Sequence, residues 1–263
     1  MGIIGLALDG RRGILGAPYR LFDEVGSTND EAAAWAREGA PHGALVVAES
    51  QTKGRGRLGR AWSSPPGDDL YLSVVLRPRM PPAAAPPLTL AVGLALLDTA
   101  RAFGASAHLK WPNDLLVEID GARRKVAGVL TEMATSGSRI EHVIVGIGLN
   151  VGAREFPPEL TGVATSLRLA TARAPDRGEV LVTLLDGLDR RYADFVAHGT
   201  PATVRTWKRE VDFLGRIVTV SAGREKITGL AQDLDDEGAL ILVDESGTRH
   251  RLWAGDVQEA TAR

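Results

Sequence analysis

The stretch Q-T-K-G-R-G-R-L-G-R-A-W, residues 51–62, has a composition that suits no regular helix or strand. It combines four basic side chains with three glycines and ends in a tryptophan. Glycine lacks a Cβ atom, so the backbone can bend closely around a bound group, and arginine offers a planar fork of donors that matches an anion. We therefore expect this glycine–arginine loop to hold a negatively charged ligand. Its glycine and basic positions are Lys53, Gly54, Arg55, Gly56, Arg57, Gly59 and Arg60.

The composition of the chain narrows the class of protein. Its 263 residues are 44% hydrophobic and 24% charged, which is ordinary for a soluble protein with one large domain and a small one. A formal net charge of −2 argues against a general nucleic-acid binder, although a local basic loop can still bind phosphates. The lack of cysteine excludes disulfides and thiolate catalysis. With no signal-peptide pattern and no apolar run of about eighteen residues, we expect a cytoplasmic protein without a membrane segment.

The order of apolar segments predicts an α+β fold. Several strands follow one another without a helix between each, which argues against a repeated βαβ unit. One helix is expected to begin at Ser27, a favourable N-cap residue, and to end at Gly39. Residues 1–17 are expected to be a short lead-in. The other predicted strands are 19–25, 43–50, 70–76, 108–117 (strand, turn, strand), 126–133 and 140–151, and the other predicted helices are 88–103, 175–198 and 201–211.

The character of the sequence changes at Leu214. From there to Val257, four or five short β segments are separated by turn signals at 222–223, 235–238 and 245–247. This pattern is typical of a small barrel of the size of an SH3 domain. We therefore predict two domains, 1–213 and 214–263.

The glycine–arginine loop formally matches the dinucleotide-binding pattern G-x-G-x-x-G at residues 54–59. That pattern requires a helix directly behind it, because the pyrophosphate rests on the N-terminus of the helix. The following residues, Trp62-Ser63-Ser64-Pro65-Pro66-Gly67, cannot form one. A P-loop and a G-x-S-x-G nucleophile elbow are also missing from the sequence.

Three dispersed segments instead offer complementary chemistry. The glycine–arginine loop supplies cations and the aromatic wall of Trp62. The segment K-W-P-N-D supplies Asn113 and Asp114 on a tight turn, and R-K-V-A-G-V-L supplies Lys125 at a strand start and Gly128 where a ligand could approach the backbone. Preorganised Arg and Lys groups offset the repulsion between a carboxylate and a triphosphate, and Asp114 could help to hold Mg²⁺.

Together, five motifs in order strongly resemble those of the biotin protein ligases. They are S-T-N at 27–29, Q-T-x-G-R-G-R-x-G-R at 51–60, K-W-P-N-D at 110–114, K-V-A-G-V-L at 125–130 and G-I-G-L-N at 146–150. The resemblance covers roughly residues 18 to 257. It implies a catalytic domain related to class II aminoacyl-tRNA synthetases, a mixed sheet with helices, followed by an SH3-like domain. It also implies a two-step reaction, in which biotin and ATP give biotinyl-5′-AMP and pyrophosphate and a carrier-protein lysine then attacks the mixed anhydride.

The resemblance also implies roles for individual residues. Lys125 would bind the carboxylate and stabilise the activated linkage, Arg57 would lie between the biotin tail and the phosphate, and Asp114 would lie near the carrier lysine or the metal; these three are the candidate catalytic residues. No metal ligand is firmly assigned, although Mg²⁺ is expected with ATP. The biotin side would be formed by Ser27, Thr28, Asn29, Gln51, Arg55, Gly56, Arg57, Lys125, Gly128 and Gly148. The adenylate side would be formed by Arg57, Arg60, Trp62, Asn113 and Asn150.

The partners expected from the resemblance are limited. The acceptor would be the biotin carboxyl-carrier domain of acetyl-CoA carboxylase or a related carboxylase. Only about seventeen residues precede the matched region, so we expect the non-regulatory type that does not bind DNA, as a monomer or homodimer.

A lipoate or octanoate ligase or transferase of the same superfamily is the nearest alternative. A non-catalytic nucleic-acid-binding module is the alternative from another class, disfavoured by the near-neutral charge and the absence of interleaved aromatic residues.

Overall fold

The computed structural model describes residues 2–171, 173–222 and 225–259. The helices are α1 (Gly2–Asp9), α2 (Thr28–Arg37), α3 (Leu88–Ala102), α4 (Leu167–Thr171) and α5 (Arg177–Glu210). The strands of the first sheet are β1 (Tyr19–Val25), β2 (Leu45–Gln51), β3 (Leu70–Leu76), β4 (Ala107–Lys110), β5 (Asp114–Ile119), β6 (Ala122–Ser136) and β7 (Arg139–Leu149). Those of the second are β8 (Ile217–Ala222), β9 (Glu225–Leu234), β10 (Leu240–Asp244), β11 (Arg249–Leu252) and β12 (Asp256–Glu259).

A seven-stranded mixed sheet in the order β1-β2-β3-β7-β6-β5-β4 frames the first part of the chain. β1 and β2 run parallel, and the remaining neighbours are antiparallel. At the centre of the sheet, Gly128 of β6 lies opposite Gly148 of β7, which in turn lies opposite Tyr71 of β3. The predicted α+β class with a mixed sheet is confirmed, although β6 is longer at both ends than the predicted strand 126–133.

Helices cover both faces of this sheet. α3 and α5 pack on one face of the sheet and contribute to the main core, where the Trp207 ring is fully buried and packs against Gly93. The Trp207 indole also donates a hydrogen bond of 2.7 Å to the Leu90 carbonyl, which satisfies its one polar atom. α2 packs on the other face through a smaller alanine-rich cluster. The sheet is therefore covered by helices on both faces.

The segment that ends in α3 resembles a membrane span in its composition. The segment Pro82–Ala102 is long and apolar enough to cross a membrane by length and composition, although Asp98 and Arg101 interrupt its apolar run. In the structure, 72% of its most apolar 18-residue window is buried inside the protein. A helix that is apolar on all sides is expected in the core of a protein as well as in a bilayer. Its apolar surface is accounted for by packing.

The N-terminal segment is more ordered than the predicted lead-in. Residues Gly2–Asp9 form α1, whose Ile4 and Leu8 are buried in the main core. Arg11, only 5% exposed at its side chain, forms ion pairs with Asp186 and Asp189 of α5. This helix was not predicted because it contains two glycines and has no acidic residue in its first turn, so its intrinsic helix propensity is weak. Packing against the protein core stabilises it instead.

The two predicted helices 175–198 and 201–211 occur as the two halves of α5. The break lies at Gly199, whose φ of 74° is accessible mainly to glycine, and Pro201 restarts the helix. Asp176 caps the start of α5 by accepting a hydrogen bond from the Glu179 amide.

The second sheet has five antiparallel strands in the order β11-β10-β9-β8-β12. This agrees with the four or five β segments predicted after Leu214. The predicted turn at 222–223 lies partly outside the described residues, since Gly223 is not among them. The Trp111 indole of the first part donates a 3.1 Å hydrogen bond to the Gly238 carbonyl of the second, so the K-W-P-N-D segment lies where the two sheets meet.

Candidate active site

All fifteen predicted site residues line one cavity of about 520 Å³. The cavity opens above β6 and β7 and extends from the start of α2 to β12 of the second sheet. The predicted residues on its walls are Ser27, Thr28, Asn29, Gln51, Arg55, Gly56, Arg57, Arg60, Trp62, Asn113, Asp114, Lys125, Gly128, Gly148 and Asn150. The structure therefore brings five separate motifs together in one place, while the role of each residue stays a prediction.

A pair of glycines forms the floor of the cavity. Gly128 and Gly148 face each other on adjacent strands, and the ring of Trp62 lies on them. A Cβ atom at Gly148 would lie 2.3 Å from Cε2 of Trp62, and one at Gly128 would lie 3.0 Å from Cζ3. Only glycine permits this approach. The indole nitrogen of Trp62 is buried against this floor and has no hydrogen-bond partner among the described residues.

Lys125 projects into the cavity beside Asp114. Its ammonium lies 2.7 Å from Oδ1 of Asp114 and 5.1 Å from the centre of the Trp62 ring. The backbone of Lys125 is fixed on both sides, because its amide donates to the Val163 carbonyl and its carbonyl accepts from the Thr165 amide. A positive charge is thus held over an aromatic face and next to a carboxylate, at the edge of an otherwise apolar floor.

A β-bulge explains why Lys125 points the same way as Gly128. Leu115 of β5 lies opposite Ala127, whereas Leu116 lies opposite Lys125, so Val126 is an extra residue in β6. Positions 125 and 128 differ by three and would lie on opposite faces of a regular strand. The bulge restores them to the same face and directs the lysine into the cavity.

Arg57 lies on the adjacent wall. Its Nη1 donates a 3.0 Å hydrogen bond to Oδ1 of Asn113, and the amide nitrogen of that side chain donates to the Val129 carbonyl. Burial lowers the pKa of Arg57 from its ordinary value, and the nearby Asp114 charge opposes this effect. The guanidinium is thus a desolvated cation with donors left over, which is what an incoming anion requires.

Arg55 is held by carboxylates of the protein itself. It forms two hydrogen bonds of 2.7 Å with Asp30 of α2 and lies 3.6 Å from Oε1 of Glu132. The hydrogen bonds to Asp30 raise the pKa of Arg55 and lower that of Asp30. Glu132 was not predicted as a site residue, and it also accepts a 2.5 Å hydrogen bond from Nδ2 of Asn29.

The start of α2 and the end of β2 form a polar wall. The Thr28 amide donates a 2.8 Å hydrogen bond to Oε1 of Gln51, and the hydroxyl of Ser73 lies 2.8 Å from Oγ1 of Thr28 and 2.7 Å from Oδ1 of Asn29. Ser27 occupies the N-cap position but its side chain makes no capping hydrogen bond, so capping does not explain its presence. Ser73 was also missed; a fully buried serine within the apolar strand L-Y-L-S-V-V-L was the available signal.

Three predicted residues remain. The Gly56 amide donates a 2.7 Å hydrogen bond to the Arg60 carbonyl, and Arg60 and Asn150 lie near the second sheet and the end of β7. Arg60 is largely exposed and lies 3.6 Å from Asp256 of β12, which also forms a 2.6 Å ion pair with Lys110. The side chain of Asn150 donates a 2.9 Å hydrogen bond to the Thr165 carbonyl, so it fixes the returning backbone. Lys110 and Asp256 were not predicted, because a contact between two sheets has no local sequence signal.

Comparison with family models identifies both parts of the chain. Residues 22–150 match the Biotin/lipoate A/B protein ligase family, and residues 213–258 match the Biotin protein ligase C terminal domain. The first match contains every predicted site residue from Ser27 to Asn150. The second contains most of the five-stranded sheet.

Individual proteins agree with the family models. The chain is 36% identical over 252 residues to the biotin–[acetyl-CoA-carboxylase] ligase of Mycobacterium tuberculosis, covering 92% of this chain and 90% of that one. It is 35% identical over 248 residues to the bifunctional ligase/repressor BirA of Bacillus spizizenii, covering 93% and 75%. The structure is similar to the biotin protein ligase of Aquifex aeolicus in complex with biotin and ATP, with a TM-score of 0.78, 30% identity, and coverage of 94% and 100%. The chain belongs to the biotin protein ligase family.

Proposed function

We propose that this protein activates biotin with ATP and transfers it to a lysine of a biotin carboxyl-carrier domain. The observation that carries the proposal is the joining of a polar wall, a glycine floor and a set of cations in one cavity. Along β6, the polar wall lies near residues 130–132 and the cationic end near residue 125. Five to seven residues of strand span about 16–23 Å, which is room for an elongated ligand with a polar head and a charged tail.

In the first step, a carboxylate oxygen of biotin attacks the α-phosphorus of ATP, and the bond from that phosphorus to the leaving pyrophosphate breaks. Both reactants are anions, so the encounter needs fixed positive charge. Lys125, paired with Asp114, and Arg57, hydrogen-bonded to Asn113, supply it. Their hydrogen bonds hold them in place before the ligand arrives, so little reorganisation accompanies the reaction.

In the second step, the amine of a carrier lysine attacks the carbonyl carbon of the mixed anhydride, and AMP leaves. The attacking ammonium must lose a proton first. Asp114 is the carboxylate beside the reacting region, with a side chain 17% exposed, and it would accept or orient that proton. As negative charge develops on the phosphate, Lys125 would leave Asp114 and bind the phosphate. The Asp114 carboxylate would then be free to accept the proton.

Mg²⁺ is proposed to arrive with the triphosphate. Among the described residues, no group of three or more His, Cys, Asp or Glu side chains could hold a metal ion. Mg²⁺ in phosphate-binding sites commonly uses one or two carboxylates together with substrate phosphates and water. Asp114 fits as a single candidate ligand, because its Oδ1 is buried and makes no hydrogen bond in addition to its ion pair with Lys125. The ion would neutralise phosphate charge.

Biotin is favoured over lipoate or octanoate by the relatives that match nearly the whole chain. The M. tuberculosis and A. aeolicus proteins are named as biotin ligases, and the second is described with biotin and ATP. The first family model covers biotin and lipoate ligases alike, so it does not discriminate between them. A carboxylase carrier domain as acceptor follows from the name of the M. tuberculosis relative.

A cytoplasmic location and a division into domains 1–213 and 214–263 belong to the same proposal. The domain division is supported by the change from the first sheet to the second after α5.

The experiment is a transfer assay with the purified chain. It is incubated with ATP, Mg²⁺, biotin and a biotin carboxyl-carrier domain, and the carrier is analysed by mass spectrometry. We expect one biotinyl group on one lysine, with no reaction when that lysine is replaced by arginine. Parallel reactions contain lipoate or octanoate with a lipoyl carrier domain. Modification of the lipoyl domain without modification of the biotin carrier would reassign the protein to the alternative class.

A further inference from the structure

The loop between β7 and α4, residues 151–165, forms a large part of the cavity wall. Its lining runs from Ala153 to Ala164 and includes the apolar side chains of Phe156, Leu160 and Val163. The loop has little regular structure of its own beyond the 3₁₀ turn Pro158–Leu160. A wall of this kind must be fixed by contacts with the rest of the protein.

The two ends of the loop are fixed to each other and to β6. At the base, the Ser166 hydroxyl donates to the Ala153 carbonyl at 2.6 Å, and the Arg168 amide donates to the Val151 carbonyl at 2.9 Å. At the far end, the Val163 carbonyl accepts a 2.8 Å hydrogen bond from the Lys125 amide. The loop therefore touches the backbone of the residue proposed to stabilise the phosphate.

Asp69 holds the base of this loop from beneath. Its Oδ1 accepts hydrogen bonds from three successive amides, those of Val151 at 2.8 Å, Gly152 at 3.2 Å and Ala153 at 3.2 Å. Three successive amides that converge on one oxygen form an anion-binding concavity. Asp69 is 6% exposed and lines the cavity, and its Oδ2 lies 3.5 Å from the Tyr71 hydroxyl. The Gly152 amide also donates a 3.0 Å hydrogen bond to the Asp68 carbonyl, and the buried carboxylate of Asp69 gathers all three amides around one oxygen.

We propose that Asp69 is a positioning residue for the nucleotide: by holding the amides of 151–153, it sets the 151–165 loop against the cavity and so determines the affinity for ATP. The inference rests on the proposed adenylation of biotin. The effect is expected at one end of the cavity, because the loop is hydrogen-bonded to Lys125 through Val163 and Thr165, whereas the polar wall lies near residues 130–132 of β6. A change in the loop should therefore affect the nucleotide end of the cavity and leave the biotin end intact.

The test compares Asp69→Ala, Asp69→Asn and Asp68→Asn. Asp69→Ala removes the acceptor, Asp69→Asn retains an oxygen of the same reach, and Asp68→Asn makes the same charge change at an exposed neighbour. Biotin-dependent exchange of labelled pyrophosphate into ATP is measured with ATP varied and then with biotin varied. We expect Asp69→Ala to raise the KM for ATP at least tenfold and to change the KM for biotin less than twofold. In Asp69→Asn, the KM for ATP should stay within about threefold of the parent value. In Asp68→Asn, it should equal the parent value.

A second readout follows the loop directly. Arg154 is exposed and lies next to the held amides, so trypsin should cut after Arg154 faster in Asp69→Ala than in the parent. Should Asp69→Ala not fold, Asp69→Ser carries the same test, because its hydroxyl is too short to reach all three amides. An unchanged KM for ATP, or equal increases in both KM values, would overturn the inference. If the parent itself shows no biotin-dependent exchange, the proposed function fails instead, and the two failures are thus distinguishable.

Discussion

The ammonium of Lys125 lies 2.7 Å from Oδ1 of Asp114, and a single extra residue in β6 brings the two together. Without the bulge at Val126, the lysine would point to the opposite face of the sheet from Gly128. The ion pair therefore depends on an irregularity of the sheet as well as on two motifs. It also holds a lysine and a carboxylate in position before any substrate is bound.

Replacement of Lys125 by alanine is expected to slow biotin activation by on the order of 10²–10³-fold, because a preorganised donor to the developing phosphate charge is lost. The measurement is biotin-dependent pyrophosphate exchange at saturating ATP. Lys226→Ala, an exposed lysine of β9 in the second sheet, is the matched control and should retain the parent rate. Equal rates for the parent and Lys125→Ala would remove the lysine from the mechanism.

Arg57 should tolerate neither alanine nor lysine. Arg57→Ala removes a desolvated cation, and Arg57→Lys loses the planar fork that reaches Asn113 while offering further donors to an anion. We expect both variants to lose roughly two orders of magnitude in exchange rate, by the same argument as for other preorganised donors. Arg139→Ala, at the exposed start of β7, serves as the control. Full activity in Arg57→Lys would show that charge alone is needed at this position.

The glycine floor gives a steric prediction. In Gly148→Ala, the new methyl group would lie 2.3 Å from Cε2 of Trp62, so the indole must move. We expect the affinity for biotin, measured by calorimetry, to fall at least tenfold. Gly187→Ala in α5 is the control, since its methyl group would meet Ala95 at an ordinary contact distance of 3.5 Å. An unchanged affinity in Gly148→Ala would mean that ligand does not use this floor.

The ion pair between Glu49 and Arg177 predicts a pH-dependent contribution to stability. Two hydrogen bonds from Arg177 lower the pKa of Glu49 from 4.5 to about 2. Because the folded state holds the carboxylate in its charged form, the stabilisation is complete above the ordinary pKa and is lost as the pH falls from about 4.5 toward 2.

Glu49→Gln should therefore lower the free energy of unfolding at pH 7 by roughly 1–3 kcal/mol, and the difference from the parent should shrink below pH 4.5. Urea unfolding at a series of pH values is the measurement. Glu141→Gln, an exposed position in β7, should show little difference at any pH. A gap between Glu49→Gln and the parent that stays constant down to pH 3 would contradict the ionic origin of the effect.

Much of the fold was accessible from the sequence, and the fifteen predicted site residues line one cavity, while their roles stay predictions. The strands were visible as apolar runs with turn residues between them, and the helix break at Gly199 was visible as a glycine and a proline. Residue chemistry alone singled out the glycine–arginine loop, the K-W-P-N-D turn and the strand start at Lys125, and the full set of fifteen came from the resemblance to biotin protein ligases. Glycine-rich basic loops and polar turns are recognisable from the local amino-acid sequence alone.

The missing parts are those that depend on distant partners. Glu132 meets Asn29 across 103 positions of sequence, and Lys110 meets Asp256 across 146. The helix α1 forms because α5 covers its apolar side, although its own propensity is weak. The bulge at Val126 is a property of two paired strands, and no single strand reveals it. Tertiary contacts of this kind leave no local pattern.

The central claim is that the cavity adenylates biotin. The most direct measurement is exchange of labelled pyrophosphate into ATP by the purified chain with biotin, with lipoate and with no acid added, all without a carrier protein. The account predicts exchange with biotin alone, slowed by on the order of 10²–10³-fold in Lys125→Ala and retained in Lys226→Ala. Exchange with lipoate and none with biotin, or no exchange with either acid by a folded protein that binds ATP, would contradict it.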